Sequence, residues 1–89
     1  MAWKIELSPT ADSGLDKLDR PVARRILSFL YGQVAKPDDP RSIGHPLQGP
    51  RFAHLWRYRV GDYRIVCEIQ DKKVVVLVLR VGHRREVYR

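Results

Sequence analysis

The chain has 89 residues and one cysteine, Cys67, which bounds it to a single domain over 1–89 without an internal disulfide. No run approaches the ~20 apolar residues of a membrane span, and the start MAWKIELSP has no signal-peptide pattern, so a soluble cytoplasmic domain is expected. The net charge of +7 is uneven, with seven Lys/Arg against six Asp/Glu in residues 1–50 and ten against four in residues 51–89; such a basic half is the electrostatic footprint of a polyanionic partner.

The pattern along the chain predicts first a strand, WKIELS (3–8), with Trp3, Ile5 and Leu7 on one face and Lys4 and Glu6 on the other. Ser8 is a natural N-cap and Pro9 suits the first helical position, opening a helix to about Leu18. Gly14 weakens that helix by roughly 1 kcal/mol. Asp19 reads as a second N-cap. The stretch from Arg20 to about Ala35 places Val22, Ala23, Ile26, Leu27, Leu30 and Val34 on one stripe, with Arg24, Arg25 and Ser28 opposite. KPDDPRSIGHPLQGP (36–50), with four prolines and two glycines, is an ordered but irregular loop. It is longer than a plain connection requires.

Three strands follow. FAHLWRYRV (52–60) alternates, GD (61–62) turns, and YRIVCEI (63–69) alternates again. QDKK (70–73) turns once more into VVVLVLRV (74–81), apolar on both faces and therefore central in the sheet. Gly82 ends the last strand, and HRREVYR (83–89) is a short tail. The order is β-α-α-β-β-β: an α+β domain with a helical hairpin on a mostly antiparallel four-stranded sheet.

Side chains on a strand alternate, so Leu55, Arg57 and Arg59 share one face while Trp56, Tyr58 and Val60 share the other. The aromatic face packs on the helices, which leaves Arg57 and Arg59 on the open face. The tight turn brings Arg64 beside them, and Arg84 and Arg85 follow the end of the last strand. Crowded guanidiniums repel one another unless an anion visits. Phosphate binding is the functional reading; the alternative is that long arginine stems cover an exposed sheet face with their heads in water.

Other candidates carry less. His45 and His54 have no partner spacing for a metal, and no Cys/His cluster suggests zinc. No Ser-His-Asp order, GxGxxG or P-loop is present, so no cofactor is expected. Cys67 alternates with Ile65 and Ile69 as a small core side chain. Trp3 and Trp56 fall on apolar faces, as core residues rather than base-stacking platforms.

LWRYRVGDYRIVCEI followed by VVVLVLRVGHRREVY resembles the RelE family of toxin–antitoxin toxins, within the RelE/ParE superfamily. The resemblance covers nearly the whole chain, and its specific parts are the RVGDYR turn and the VGHRREVY ending. It implies a toxin that enters the ribosomal A site and cuts mRNA without a metal. The ribose 2′-hydroxyl attacks the neighbouring phosphate, leaving a 2′,3′-cyclic phosphate and a 5′-hydroxyl. Arg64, in DYR, matches the family's phosphate-stabilising arginine on the middle strand. Arg84, after GH, matches the arginine that follows the last strand. Tyr88, in EVY, matches the C-terminal tyrosine that positions or deprotonates the 2′-hydroxyl.

Arg57 and Arg59 fall where the best-known family member has lysines; aligned without a gap, Arg57 takes one lysine place and Leu55 the other. This departure matters, because a guanidinium is a poor base and a good bidentate phosphate clamp. General acid–base work then falls on Tyr88 or His83, with Arg64 and Arg84 stabilising the transition state. Arg51, Arg57, Arg59 and Arg85 are expected to bind RNA. The implied partners are the ribosome, mRNA and a small antitoxin docked in the grooves beside the helical hairpin, its acidic charge suiting the basic half. Two other functions share the fold or the charge: a ParE-like inhibitor of DNA gyrase, whose relatives usually lack the basic pocket and its tyrosine, and a non-catalytic ribosome or RNA binder that inhibits translation.

Overall fold

The computed structural model describes residues 2–49 and 54–83. Along the chain come β1 (Lys4–Leu7), α1 (Pro9–Asp16), α2 (Arg20–Phe29), a two-residue β2 (His45–Pro46), then β3 (Leu55–Val60), β4 (Tyr63–Gln70) and β5 (Val75–His83). The α+β class and the β-α-α-β-β-β order stand, with β2 as an addition. The sheet therefore has five strands rather than four, in the order β1-β5-β4-β3-β2. β1 lies parallel to β5, and the remaining pairs are antiparallel. β5 is flanked on both sides, with Val75 buried on one face and Val76 and Val78 on the other. That position explains its unbroken valine-rich run. It also continues through Gly82 to His83, two residues past the expected end.

The helical hairpin covers one face of the sheet. Ser8 caps α1, its Oγ accepting from the Ala11 N–H at 3.1 Å. α1 ends at Asp16, two residues before the expected Leu18. Asp19 occupies the N-cap of α2, but its side chain makes no cap bond. An N-cap oxygen takes the N–H of the second or third helical residue, and here the second is Pro21, which has none. Ile26, Leu30 and Val34 are fully buried. The helix reaches Val34 through a wider final turn, in which the Ala35 N–H donates to the Leu30 carbonyl at 2.9 Å.

The irregular loop is tied down at three points. Buried Tyr58 donates its hydroxyl to the Pro40 carbonyl at 2.7 Å. Trp3 donates its indole N–H to the Asp38 carbonyl at 3.1 Å. Arg41 forks onto Asp71 at 3.1 and 2.7 Å, fastening the loop to the β4–β5 turn, and lies 5.9 Å over the Trp56 ring. Burial raises the pKa of the Tyr58 phenol, so it stays protonated and keeps its role as donor. The Arg41 hydrogen bonds hold the Asp71 carboxyl below the usual carboxylate range.

α1 and β5 touch closely at one glycine. A Cβ built on Gly14 would lie 2.5 Å from the Val81 carbonyl oxygen. The residue that weakens the isolated helix is what lets the helix rest on the strand. Gly14→Ala is therefore expected to lower the unfolding free energy by roughly 1–3 kcal/mol through the overpacked contact, despite a propensity gain of ~1 kcal/mol; urea titration of both proteins measures it. Tyr58→Phe is expected to cost about 1–2 kcal/mol in the same titration by leaving the Pro40 carbonyl without its donor.

Candidate nucleic-acid interface

The strand registers set the open face residue by residue. Opposite residues in an antiparallel pair point the same way. Arg59 stands directly across from Arg64, which in turn faces Gly82 of β5. One step along the strands, Arg57 is opposite Val66, and Val66 is opposite Arg80. Between these positions Tyr58, Val60, Ile65 and Cys67 turn to the helices and are buried. The face expected for Arg57, Arg59 and Arg64 is the one they occupy. Arg59 is exposed, while Arg57 and Arg64 are half-buried. Leu55, Glu68 and Leu77 form the next row, where Glu68 accepts from the Gln70 amide at 2.8 Å and lies 3.8 Å from His54.

Arg80 joins this face because of a bulge that simple alternation misses. Counting by twos from buried Val76 and Val78 would send Arg80 under the helices. The β4–β5 register instead slips between Val66 and Cys67, whose partners are Arg80 and Val78, so Leu79 is the extra residue. Ser8 holds the bulge: its N–H donates to the Val78 carbonyl at 2.9 Å and its hydroxyl to the Leu79 carbonyl at 3.0 Å. Beyond it Arg80 is exposed and Val81 is buried. β1 has already stopped, with Leu7 opposite Val78, so Arg80 stands at an edge of the sheet bordering a groove that Pro9, Ser13, Gly14 and Lys17 also line.

The other candidates divide. His83 pairs with Tyr63, which pairs with buried Val60, so it lies on the helix side of the sheet, away from Arg64. Its ring meets the Tyr63 ring edge-on at 5.8 Å. His45, read in the sequence as a loop residue, pairs with Arg57 in β2 and is exposed. Arg51, Arg84, Arg85 and Tyr88 lie outside the described residues. Cys67 is fully buried and its thiol pKa is pushed up by that burial, so it is a core side chain and a poor nucleophile. Trp3 and Trp56 pack against the core. Among the described residues, no group of three His, Cys, Asp or Glu converges as a metal site, and no helix is long and apolar enough to cross a membrane.

Arg57, Arg59, Arg64 and Arg80 form no ion pair with a described carboxylate, in contrast to Arg41 between Asp39 and Asp71. The Nε of Arg57 is buried without a hydrogen-bond acceptor among the described residues. Four guanidiniums without a described carboxylate partner concentrate positive charge on one face, and a planar guanidinium is the side chain whose geometry suits bidentate contact with a phosphate.

Residues 5–88 match the family described as the ParE toxin of type II toxin–antitoxin systems, parDE. The chain belongs to this toxin family. It is 30% identical to toxin RelG of Mycobacterium tuberculosis over 89 residues, covering 100% of this chain and 99% of that protein. It is 31% identical to the mRNA interferase toxin RelE of Escherichia coli, covering 99% of this chain and 92% of that protein. The crystal structure of the toxin–antitoxin complex RelBE2 from Mycobacterium tuberculosis contains a chain with the same fold, at a TM-score of 0.85 and 28% identity, covering 97% of this chain and 95% of that one. The RelE-like fold expected from the sequence is thereby established.

The Arg59–Arg64 pair has a measurable consequence. Like charges directly opposite on neighbouring strands are destabilising. Arg59→Thr in this toxin, which removes the repulsion and adds a β-branched side chain, is expected to gain roughly 0.2–1 kcal/mol at low salt. Scanning calorimetry reads it as a raised melting temperature. Added inorganic phosphate is expected to stabilise the parent protein more than the variant.

Proposed function

We propose that this toxin is a ribosome-dependent mRNA endoribonuclease, acting in the cytoplasm by cleaving mRNA in the ribosomal A site and so inhibiting translation. The observation that carries the reading is the pairing of Arg59 with Arg64 on an open sheet face, with Arg57 and Arg80 one step away and no described carboxylate paired with any of them. The naming of the Escherichia coli relative as an mRNA interferase supports it.

The reaction is transesterification followed by release. The ribose 2′-oxygen forms a bond to the adjacent phosphorus as its proton passes to a base. The P–O5′ bond breaks, and the departing 5′-oxygen takes a proton. The products are a 2′,3′-cyclic phosphate and a 5′-hydroxyl. Negative charge grows on the equatorial oxygens in between, and fixed guanidiniums stabilise it more than they stabilise the substrate. Arg59, Arg64 and Arg84 take that part, supplying the positive charge that a metal ion supplies in other nucleases. Arg51, Arg57 and Arg85 hold the RNA. Arginine cannot serve as the base. That work is assigned to Tyr88 in preference to His83, because the register turns His83 to the helix side of the sheet.

A cognate antitoxin is part of the proposal, since the Mycobacterium tuberculosis relative of the same fold was solved as a toxin–antitoxin complex. The family's ParE description favours a second reading, inhibition of DNA gyrase without RNA cleavage.

Translation in vitro followed by primer extension separates them. Codon-spaced cuts are the expected result. Intact mRNA with stalled gyrase supports the second reading, and ribosome stalling without cuts supports a non-catalytic binder. Arg64→Ala is expected to slow cleavage roughly 10²–10³-fold, as loss of one transition-state donor does. Tyr88→Phe is expected to slow it roughly 10²–10⁴-fold, while His83→Ala leaves the rate within a few-fold. A full rate in both Arg64→Ala and Tyr88→Phe would remove the proposed mechanism.

A further inference from the structure

We propose that the open face carries two phosphate subsites, and that Arg80 with Arg57 forms the second. This rests on the reading of that face as a surface for an RNA backbone. The first subsite is the directly opposed pair Arg59 and Arg64. The second is the neighbouring row, where Arg57 and Arg80 flank Val66 across β3, β4 and β5.

Three observations carry it. The rows are two residues apart on each strand, about 7 Å at the rise of an extended chain. Arg57 and Arg80 are two strand spacings apart, about 10 Å, a gap that two arginine side chains are long enough to span across Val66. Val66 is only 5% exposed, so the floor between them is apolar and gives an anion no competing hydrogen bond from its side chain.

The second observation is the bulge. Without Leu79 as the extra residue, Arg80 would point beneath the helices, and the row would hold one cation. The N-cap residue of α1 fixes the bulge through two hydrogen bonds. The third is that neither guanidinium pairs with a described carboxylate. A phosphate oxygen between the two arginines gives the row an anion that no described carboxylate supplies. Because Arg80 stands where β1 has ended, the sheet edge beside it is where the RNA strand passes off the sheet.

The test is binding of a short single-stranded oligoribonucleotide, followed by fluorescence anisotropy over a range of salt concentrations. Arg80→Ala is expected to weaken affinity about tenfold and to reduce the log–log salt slope by about 0.7, the contribution of one phosphate contact on a single strand. Arg80→Lys is expected to keep the slope and lose part of the affinity, since the charge stays and the planar fork goes. Lys73→Ala, at the β4–β5 turn, is the control for general charge. A double-mutant cycle supplies the sharper reading. Arg57→Ala and Arg80→Ala should be less than additive, because they grip one phosphate; Arg64→Ala and Arg80→Ala should be additive, because they grip different ones.

Losses at Arg80 no greater than at Lys73, or a pair with Arg57 as additive as the pair with Arg64, would overturn the second subsite. So would a parent protein that fails to bind the oligonucleotide. The nuclease reading fails differently: if primer extension shows intact mRNA while the cycle behaves as described, the subsite stands and the cleavage chemistry does not. Cleavage that proceeds at the parent rate and the parent KM in Arg80→Ala sinks the subsite alone.

Discussion

A sheet covered by helices on one face must send every second side chain of its inner strands into the core. The meander of β3, β4 and β5 depends on that constraint. Tyr58, Ile65, Cys67, Val76 and Val78 leave the chain in one direction and lose their water. Their neighbours have only the other face left. Packing Trp56 against the core and burying Tyr58 and Val60 in β3 therefore places Arg57 and Arg59 together on the far side, and burying Ile65 and Cys67 in β4 does the same for Arg64. The core supplies the favourable free energy, and the mutual repulsion of the guanidiniums is carried against it.

One departure from strict alternation adds to the charged surface. At Leu79 the last strand gains a residue, and everything after it changes sides. Arg80 moves onto the arginine face, Val81 returns to the core, and His83 is turned toward the helices beside Tyr63. The bulge does not stand alone. Ser8 at once caps α1 and bonds the backbone around Leu79, and Gly14 in the same helix lets the Val81 carbonyl approach closely. The start of the chain thus sets the direction of side chains some 70 residues later.

The proline-rich loop belongs to the same support. Through Tyr58, Trp3 and the Arg41–Asp71 fork it is fastened to β3, to the segment just before β1 and to the β4–β5 turn. Arg41 shows how a cation is treated where the structure needs it neutralised: it is paired, stacked and partly buried. Arg57, Arg59, Arg64 and Arg80 pair with no described carboxylate. The presence or absence of a described carboxylate partner, more than the net charge, separates the supporting part of this toxin from its candidate interface.

Much of this was readable from residue order. Ser8-Pro9 marked a helix start, the Ile26-Leu30-Val34 spacing marked the buried stripe, and the alternation in LWRYRV and YRIVCEI assigned Arg57, Arg59 and Arg64 to one face. These are local signals, set by periods of 3.6 and 2 residues and by capping chemistry. The parallel pairing of β1 with β5, the short β2, the role of Gly14 and the bulge at Leu79 were not readable, because each depends on a partner far along the chain. A glycine in a helix looks like a local penalty until the strand it admits is known. An alternating strand gives no sign of the residue at which it slips. The sequence by itself determined that a basic face would exist, since alternation needs nothing but neighbours. Only the tertiary structure decided which cations complete it, since a single inserted residue in β5, fixed by contacts from the first helix, sets whether Arg80 and His83 point toward that face or away from it.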